Sequence, residues 1–213
     1  MSRSRTPSAL FVATLGLLAA LGLTSCGSSA LDFGKGKDTR NKMIVSVRDQ
    51  KMLLVRDGAP VKSYAVSTSK FGIGDRPGSH HTPLGRLQVA KKIGCNAPTG
   101  AVFKSRRPTG EVLAPNAPGR DPIVTRILWL TGTEGRNQNT FRRTIYIHGT
   151  PEESCLGTPA SYGCIRMGSR DIADLYNRIG TGADVFVIRG SIQAERPSQV
   201  SAALGRPGSR TGG

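Results

Sequence analysis

The chain has 213 residues, which is enough for one folded domain with short appendages. It carries 30 basic and 14 acidic residues and a formal net charge of +16, so its surface favours polyanions such as nucleic acid, anionic lipid or an acidic cell-wall polymer. The basic residues are scattered and do not alternate with aromatic ones, which argues against a nucleic-acid binder. We therefore expect no nucleic-acid partner.

The N-terminus indicates export and lipid attachment. Two arginines precede an apolar stretch, residues 9–23, that is too short for a stable membrane span. A Leu-Thr-Ser-Cys string ending at Cys26 resembles a bacterial lipobox, so we expect residues 1–25 to be a signal peptide and Cys26 to be lipidated. Gly27 after the cysteine suggests, by similarity to lipoprotein sorting, an outer-membrane lipoprotein facing the periplasm, anchored by its lipid chains. The alternative is an ordinary secretory signal with an incidental cysteine.

A Gly- and Ser-rich tether, residues 26–41, is predicted to lead into a core at residues 42–189, followed by a disordered tail at residues 190–213. A hairpin and several further strands are indicated by short β-type runs. These runs are Met43–Val47, Met52–Val55, Val61–Thr68, Arg86–Lys91, Ile123–Leu130, Thr144–His148 and Asp184–Arg189.

Long polar segments separate the strands. Residues 69–83 read as a loop; its adjacent His80 and His81 would diverge and have no acidic or cysteine partner at ligand spacing, so we expect no metal site. Residues 95–122 are Gly- and Pro-rich. We consider two interpretations of this segment equally, a lid over a cleft and an ordinary surface loop. Ser169 is a plausible N-cap for one short helix, with Gly180 at its end.

The order of these elements predicts the fold class. Many short strands, long surface loops and one short helix are typical of a mainly β domain, either a barrel or a sandwich. The predicted helix has one apolar face. That face is formed by Ile172, Leu175, Tyr176 and Ile179.

One pattern indicates nucleophilic catalysis. His148 ends an apolar strand and lies on the same face of it as Tyr146, and a short return loop then leads to Gly163 and Cys164. A thiol is mostly protonated at neutral pH, so a cysteine nucleophile needs a positioned base. A glycine before it allows a tight turn whose N–H groups could face an oxyanion. The alternative is a buried cysteine and an unrelated histidine.

The same residues resemble the signature of the L,D-transpeptidases, the YkuD-type catalytic domain. The matching strings are His148-Gly149-Thr150, Ser161-Tyr162-Gly163-Cys164-Ile165-Arg166-Met167 and, upstream, Thr82-Pro83-Leu84-Gly85. The resemblance runs in order from about Met43 to Ile188, and the family usually has a histidine at the position of Tyr162. It implies a mainly β fold in which the short helix follows the catalytic loop.

The resemblance also implies a mechanism without a metal or an organic cofactor. Cys164 would attack a carbonyl of a peptidoglycan stem tetrapeptide and release D-Ala, with His148 as general acid and base. The carbonyl of Gly149 would orient the imidazole, and N–H groups at Gly163 and Cys164 would form the oxyanion hole. An amine on another stem would then capture the thioester and cross-link the wall.

Further side chains are candidates for substrate binding. Tyr146, Ser161 and Tyr162 would line the pocket. Arg166 would either bind a substrate carboxylate or form an ion pair under the catalytic loop. Export would also permit a disulfide between the two remaining cysteines, Cys95 and Cys155.

Three other functions fit the same sequence. They are an L,D-carboxypeptidase with the same cysteine and histidine, a non-catalytic envelope lipoprotein that binds the anionic wall, and a cysteine protease acting on ordinary peptides. The expected partners are peptidoglycan stem peptides and, through the lipid anchor, a membrane; a monomer is expected.

Overall fold

The computed structural model describes residues 36–194. The predicted signal peptide, the lipidation site at Cys26 and most of the predicted tail lie outside these residues. Within the described part of the chain, no helix has the length and apolar character needed to cross a membrane.

Ten strands and one α-helix make up the fold, which confirms the mainly β prediction. The strands are β1 (Asn41–Ser46), β2 (Lys51–Arg56), β3 (Ala59–Ser67), β4 (Gly85–Ile93), β5 (Ala101–Lys104), β6 (Arg107–Val112), β7 (Ile123–Gly132), β8 (Tyr146–Gly149), β9 (Ile165–Met167) and β10 (Asp184–Ile188). The helix α1 spans Ser169–Arg178, and short 3₁₀ turns occur at Gly135–Asn137, Glu153–Cys155 and Ile192–Ala194.

Eight of the strands close into a barrel. Their order is β4-β10-β1-β2-β3-β9-β8-β7, and β7 pairs back onto β4. The pairs β1–β10 and β8–β9 are parallel and the others in the ring are antiparallel. Closure satisfies the edge hydrogen bonds of these strands and encloses the apolar core.

The predicted loop at residues 95–122 contains the hairpin β5–β6, so that prediction is corrected. β5 pairs with the first residues of β7, Ile123 and Val124. The later residues of β7 pair with β4 and close the barrel, so the hairpin lies outside the ring of eight strands. The hairpin turns at Ser105 and Arg106, both with positive φ. Such a turn usually carries Asn-Gly or Asp-Gly, and β6 is exposed along its whole length, so neither a turn signal nor an apolar alternation marks the hairpin in the sequence.

Helix α1 packs its apolar face against β7 and β8. The residues predicted for that face, Ile172, Leu175, Tyr176 and Ile179, are all buried. The N-cap is Gly168 rather than Ser169. The Ser169 N–H donates instead to the carboxylate of Glu153 at 2.8 Å, so a side chain from the return loop caps the helix.

The domain extends slightly beyond its predicted boundaries. In the predicted tether, the Asp38 N–H donates to the carbonyl of Thr181 at 2.8 Å, and Asn41 is already in β1. At the other end, Ser191 Oγ and the Ile192 N–H both donate to Asp49 at 2.8 Å. Both segments are polar and lack β-type periodicity, so their docking through these few hydrogen bonds could not be predicted.

The suggested disulfide between Cys95 and Cys155 is not formed, because Cys155 carries a free thiol. Cys155 lies in a 3₁₀ turn that is held elsewhere. The Ser154 N–H donates to the side chain of Asn116 at 2.8 Å, and the Gly157 N–H donates to the carbonyl of Val66 on β3 at 2.9 Å. Cys95 instead follows the end of β4.

Candidate active site

Strand β8 separates the barrel core from the candidate site. Ile147 points into the core. Tyr146 packs on the outer face of the sheet in a second apolar cluster that includes Phe103, Ile127 and Cys164. This two-residue alternation places the candidate histidine and cysteine outside the barrel core, on the face that the β5–β6 hairpin partly covers.

His148 lies in a row of three paired residues across the sheet. It is opposite Ile127 of β7 and opposite Arg166 of β9, so all three side chains share the outer face. Its Nδ1 lies 2.9 Å from the carbonyl oxygen of Gly149. A carbonyl only accepts, so Nδ1 carries the proton and Nε2 presents a lone pair. Burial lowers the pKa of His148 below its ordinary value of 6.5, so the ring is neutral at neutral pH.

Cys164 lies in the adjacent row on the same face. It directly precedes β9, and the backbone N–H of Tyr146 lies 3.4 Å from its Sγ. The thiol also donates to the carbonyl of Thr144 at 3.6 Å, so the sulfur lies beside the backbone at the start of β8, two residues before His148. Burial raises the pKa of the Cys164 thiol to about 11, against the opposing effects of the Tyr146 N–H and of Arg166 and Arg143. The thiol is thus protonated unless a base removes its proton.

The turn before Cys164 is braced from within. Ser161 is buried, and its Oγ donates to the Cys164 carbonyl at 2.6 Å and accepts from the Gly163 N–H at 3.2 Å. Gly163 has φ +118°, and a Cβ there would lie 3.2 Å from the carbonyl oxygen of His81. The buried Thr82 donates to the Gly163 carbonyl at 3.1 Å. Both motifs singled out in the sequence therefore meet at this turn.

Arg166 is buried and held by two carboxylates. Its guanidinium lies 2.6 Å from Asp121 and 3.1 Å from Glu152, and Asp121 also accepts a hydrogen bond from Thr150. Of the two roles considered for Arg166, this geometry favours the structural ion pair. Sequence reasoning missed Asp121 and Glu152 because nothing local links either residue to β9.

A second buried ion pair holds the loop of residues 69–83 against the site. Arg143 lies 3.1 Å from Asp75, and both side chains are only 7% exposed. Arg143 also donates to the carbonyl of His81 at 2.7 Å. Because the His81 carbonyl lies against Gly163, this pair helps to fix the turn that carries Cys164.

The tip of the β5–β6 hairpin reaches over the outer cluster. Arg106 donates to the hydroxyl of Tyr146 at 3.2 Å, and its guanidinium stacks 4.8 Å from the centre of the Trp129 ring. The side chain of Tyr146, predicted to line the pocket, is therefore buried beneath the hairpin.

Replacing Arg106 with Ala should loosen this hairpin without unfolding the barrel. One hydrogen bond and one cation–π contact are lost, together worth about 1 kcal/mol, so amide exchange in β5 and β6 should quicken about fivefold. Hydrogen–deuterium exchange measures this directly. The neighbouring exposed Arg107 supplies the control variant, R107A. Equal protection of the β5 and β6 amides in R106A and R107A would show that the Arg106 contacts do not hold the hairpin.

Two remaining positions from the sequence analysis, Tyr162 and His80, lie on the exposed side of the nucleophile turn. Tyr162 is exposed, and its hydroxyl accepts a hydrogen bond from Lys70 at 3.0 Å. His80 packs against Tyr162 and Phe71. Across residues 36–194, no group of three or more His, Cys, Asp or Glu side chains could hold a metal ion.

Comparison with known proteins identifies the family. A family model described as the L,D-transpeptidase catalytic domain matches residues 40–188, which is more than half of the chain. No curated protein sequence matches the chain. Solved structures with a similar fold include L,D-transpeptidases from Mycobacterium smegmatis (17% identity, TM-score 0.46, covering 70% of this chain and 58% of that one), Mycobacterium tuberculosis (18%, 0.46, 70% and 58%) and Xylanimonas cellulosilytica (17%, 0.46, 73% and 63%). The chain thus spans about three-fifths of the length of these proteins. From the family match, the chain belongs to the L,D-transpeptidase catalytic-domain family.

Proposed function

We propose that the protein is a peptidoglycan L,D-transpeptidase that uses Cys164 as its nucleophile. The observation that carries this proposal is that His148 lies in β8, while Cys164 directly precedes the parallel neighbour β9 and holds its sulfur at the start of β8, outside the barrel core. The Gly149 carbonyl holds the proton on Nδ1 of His148, which leaves Nε2 to act as the base.

In the first half-reaction, His148 takes the thiol proton as Cys164 Sγ attacks the carbonyl of a stem tetrapeptide. The tetrahedral intermediate then collapses, the carbon–nitrogen bond breaks, and the released D-Ala amine leaves with the proton from His148. In the second, an acceptor amine attacks the thioester and gives up a proton to His148. The new amide forms as the carbon–sulfur bond breaks, and the sulfur regains a proton. Neither half-reaction needs a metal or an oxidant.

The oxyanion would be held by backbone donors at the nucleophile turn. We propose the Cys164 N–H as the main donor. The Gly163 N–H is the second donor, and its long 3.2 Å bond to Ser161 Oγ can be exchanged for a bond to the intermediate. Ser161 is then a residue that supports the turn, whereas Tyr162 remains available to substrate.

The proposed setting of this chemistry is the cell envelope. A signal peptide at residues 1–25, lipidation at Cys26 and an outer-membrane location would present one monomeric catalytic domain to the wall. The whole chain has a net charge of +16, and removal of Arg3 and Arg5 with the signal peptide would leave 16 − 2 = +14, which supports attraction to an acidic polymer.

The test is intact-mass analysis after incubation with a carbapenem and, separately, with a tetrapeptide donor. A covalent adduct should form on the wild type and be lost in C164A. Cys155 is a second free thiol in the described chain, so C155A is the matched control and should keep the adduct. An adduct that persists in C164A, or none in the wild type, would refute the proposal. Reaction of the donor with and without an acceptor amine then separates transfer from hydrolysis, the L,D-carboxypeptidase alternative.

A further inference from the structure

An exposed aromatic group lies directly beside the nucleophile turn. We call Lys70, Phe71, His80 and Tyr162 the aromatic patch. Tyr162 and Phe71 are 57% and 48% exposed, although both side chains are large and aromatic. In the described chain the other large hydrophobic residues with comparable exposure are Val61 and Val112, which are aliphatic and lie on strands β3 and β6 rather than in loops.

The three rings contact one another, and the ammonium group of Lys70 lies over two of them, Phe71 and Tyr162. The Phe71 and Tyr162 centroids are 5.3 Å apart, and His80 is 5.7 Å and 5.8 Å from them respectively. Lys70 Nζ lies 4.4 Å from the centre of the Tyr162 ring and donates to the Tyr162 hydroxyl at 3.0 Å. An ammonium has three donors, so Lys70 retains donors for a further partner.

Backbone contacts fix the patch to the turn that bears Cys164. The Lys70 N–H donates to the carbonyl of Ser161 at 3.1 Å. Ser69 Oγ accepts from the Phe71 N–H at 3.0 Å and donates to the His80 carbonyl at 2.6 Å. The patch is therefore positioned before any ligand arrives, which lowers the entropic cost of binding to it.

The chemistry of the patch matches a sugar better than it matches a peptide amine. A pyranose ring presents a face of C–H bonds, which the negative faces of Tyr162 and Phe71 attract. The charge on Lys70 suits hydroxyl, acetamido or carboxylate oxygens and repels an ammonium group. The exposed rings of Tyr162 and Phe71 are in contact with each other rather than scattered singly over the surface, which is the arrangement found at ligand-binding surfaces.

We propose that the aromatic patch binds a sugar ring of the glycan strand to which the donor stem peptide is attached. This rests on the proposed function, since it assigns the glycan end of the same substrate. Three residues of an extended peptide span about 10 Å. Tyr162 is two residues from Cys164 in the chain and is exposed, a separation of the same order as that span, so the length of the stem allows its sugar end to contact the patch.

The test compares two donors, a disaccharide-linked tetrapeptide and the same tetrapeptide without its sugars. We expect the wild type to favour the sugar-linked donor in kcat/KM for acylation, since binding energy from a remote group can be used at the reacting centre. In F71A and in Y162A the ratio of the two kcat/KM values should fall about tenfold, whereas Y162F should retain it. V61A, which alters a distant exposed apolar side chain, should keep the wild-type ratio.

Three kinetic outcomes would overturn the patch assignment. The first is a ratio near unity in the wild type, and the second is a preference that survives in F71A. The third is that K70M weakens both donors equally at a constant ratio, which would assign Lys70 to a stem-peptide carboxylate instead. Carbapenem acylation of Cys164 needs no sugar, so it tests the proposed function separately.

Peptide-free glycan oligosaccharide titrated into C164A should also shift the NMR signals of the Phe71 and Tyr162 rings, and unshifted signals would contradict binding there.

Discussion

Replacing His148 with Ala should slow the acylation of Cys164 about a thousandfold at neutral pH, within the range that a general base contributes. The reason is electrostatic. Burial raises the pKa of the Cys164 thiol to about 11, so almost no thiolate exists at neutral pH without proton transfer to His148. The measurement is the rate of carbapenem adduct formation by stopped-flow or mass spectrometry. The chain has three histidines, and His81 provides the control variant, H81A, which should react at close to the wild-type rate.

The pH dependence distinguishes this mechanism from a preformed ion pair. His148 must be neutral to accept a proton, and burial lowers its pKa, so wild-type acylation should fall as pH drops through a value below 6.5 and stay level above it. In H148A the rate should instead rise about tenfold per pH unit towards the thiol pKa near 11. A strong thiolate absorbance in the wild type at neutral pH, or parallel profiles for the two proteins, would contradict general-base catalysis.

The sequence predicted those parts of the fold that depend on local pattern. The predicted runs Met43–Val47 and Ile123–Leu130 do form strands. Their apolar side chains alternate or are continuous, and most of them are buried in the barrel. The hairpin β5–β6 was missed because its turn, Ser105-Arg106, lacks the residues that usually favour positive φ. By contrast, the turn between β2 and β3 carries Asp57-Gly58, a typical pair.

The pairing of distant strands could not be predicted. The barrel closes through β4 with β7 and through β1 with β10, contacts between residues far apart in the chain. The same limit applies at the candidate site. A local string marks His148, Gly163 and Cys164, but the partners of Arg166 and of Arg143 come from other loops, and no periodicity joins them. The sequence therefore predicts which groups react, whereas the residues that hold those groups in place are seen only in the folded structure.

Replacing Arg166 with Met should cost about 3 kcal/mol in the free energy of unfolding, as expected when one partner of a buried ion pair is removed. The side chain of Arg166 is 7% exposed and that of Asp121 14%, so R166M leaves the Asp121 charge poorly solvated and unpaired. Glu152, at 39%, can be hydrated and contributes less. Urea unfolding followed by circular dichroism measures the loss.

The double variant R166M/D121N separates the ion pair from simple packing. It removes both buried charges, so it should regain a large part of the stability lost in R166M. The same variants test the electrostatics of His148, because Arg166 lowers its pKa and Asp121 raises it. The acid limb of acylation should therefore move to higher pH in R166M and return towards the wild-type position in the double variant. If the double variant were no more stable than R166M, Arg166 would stabilise the fold through packing and not through the ion pair. The other role considered for Arg166, binding of a substrate carboxylate, would then regain support.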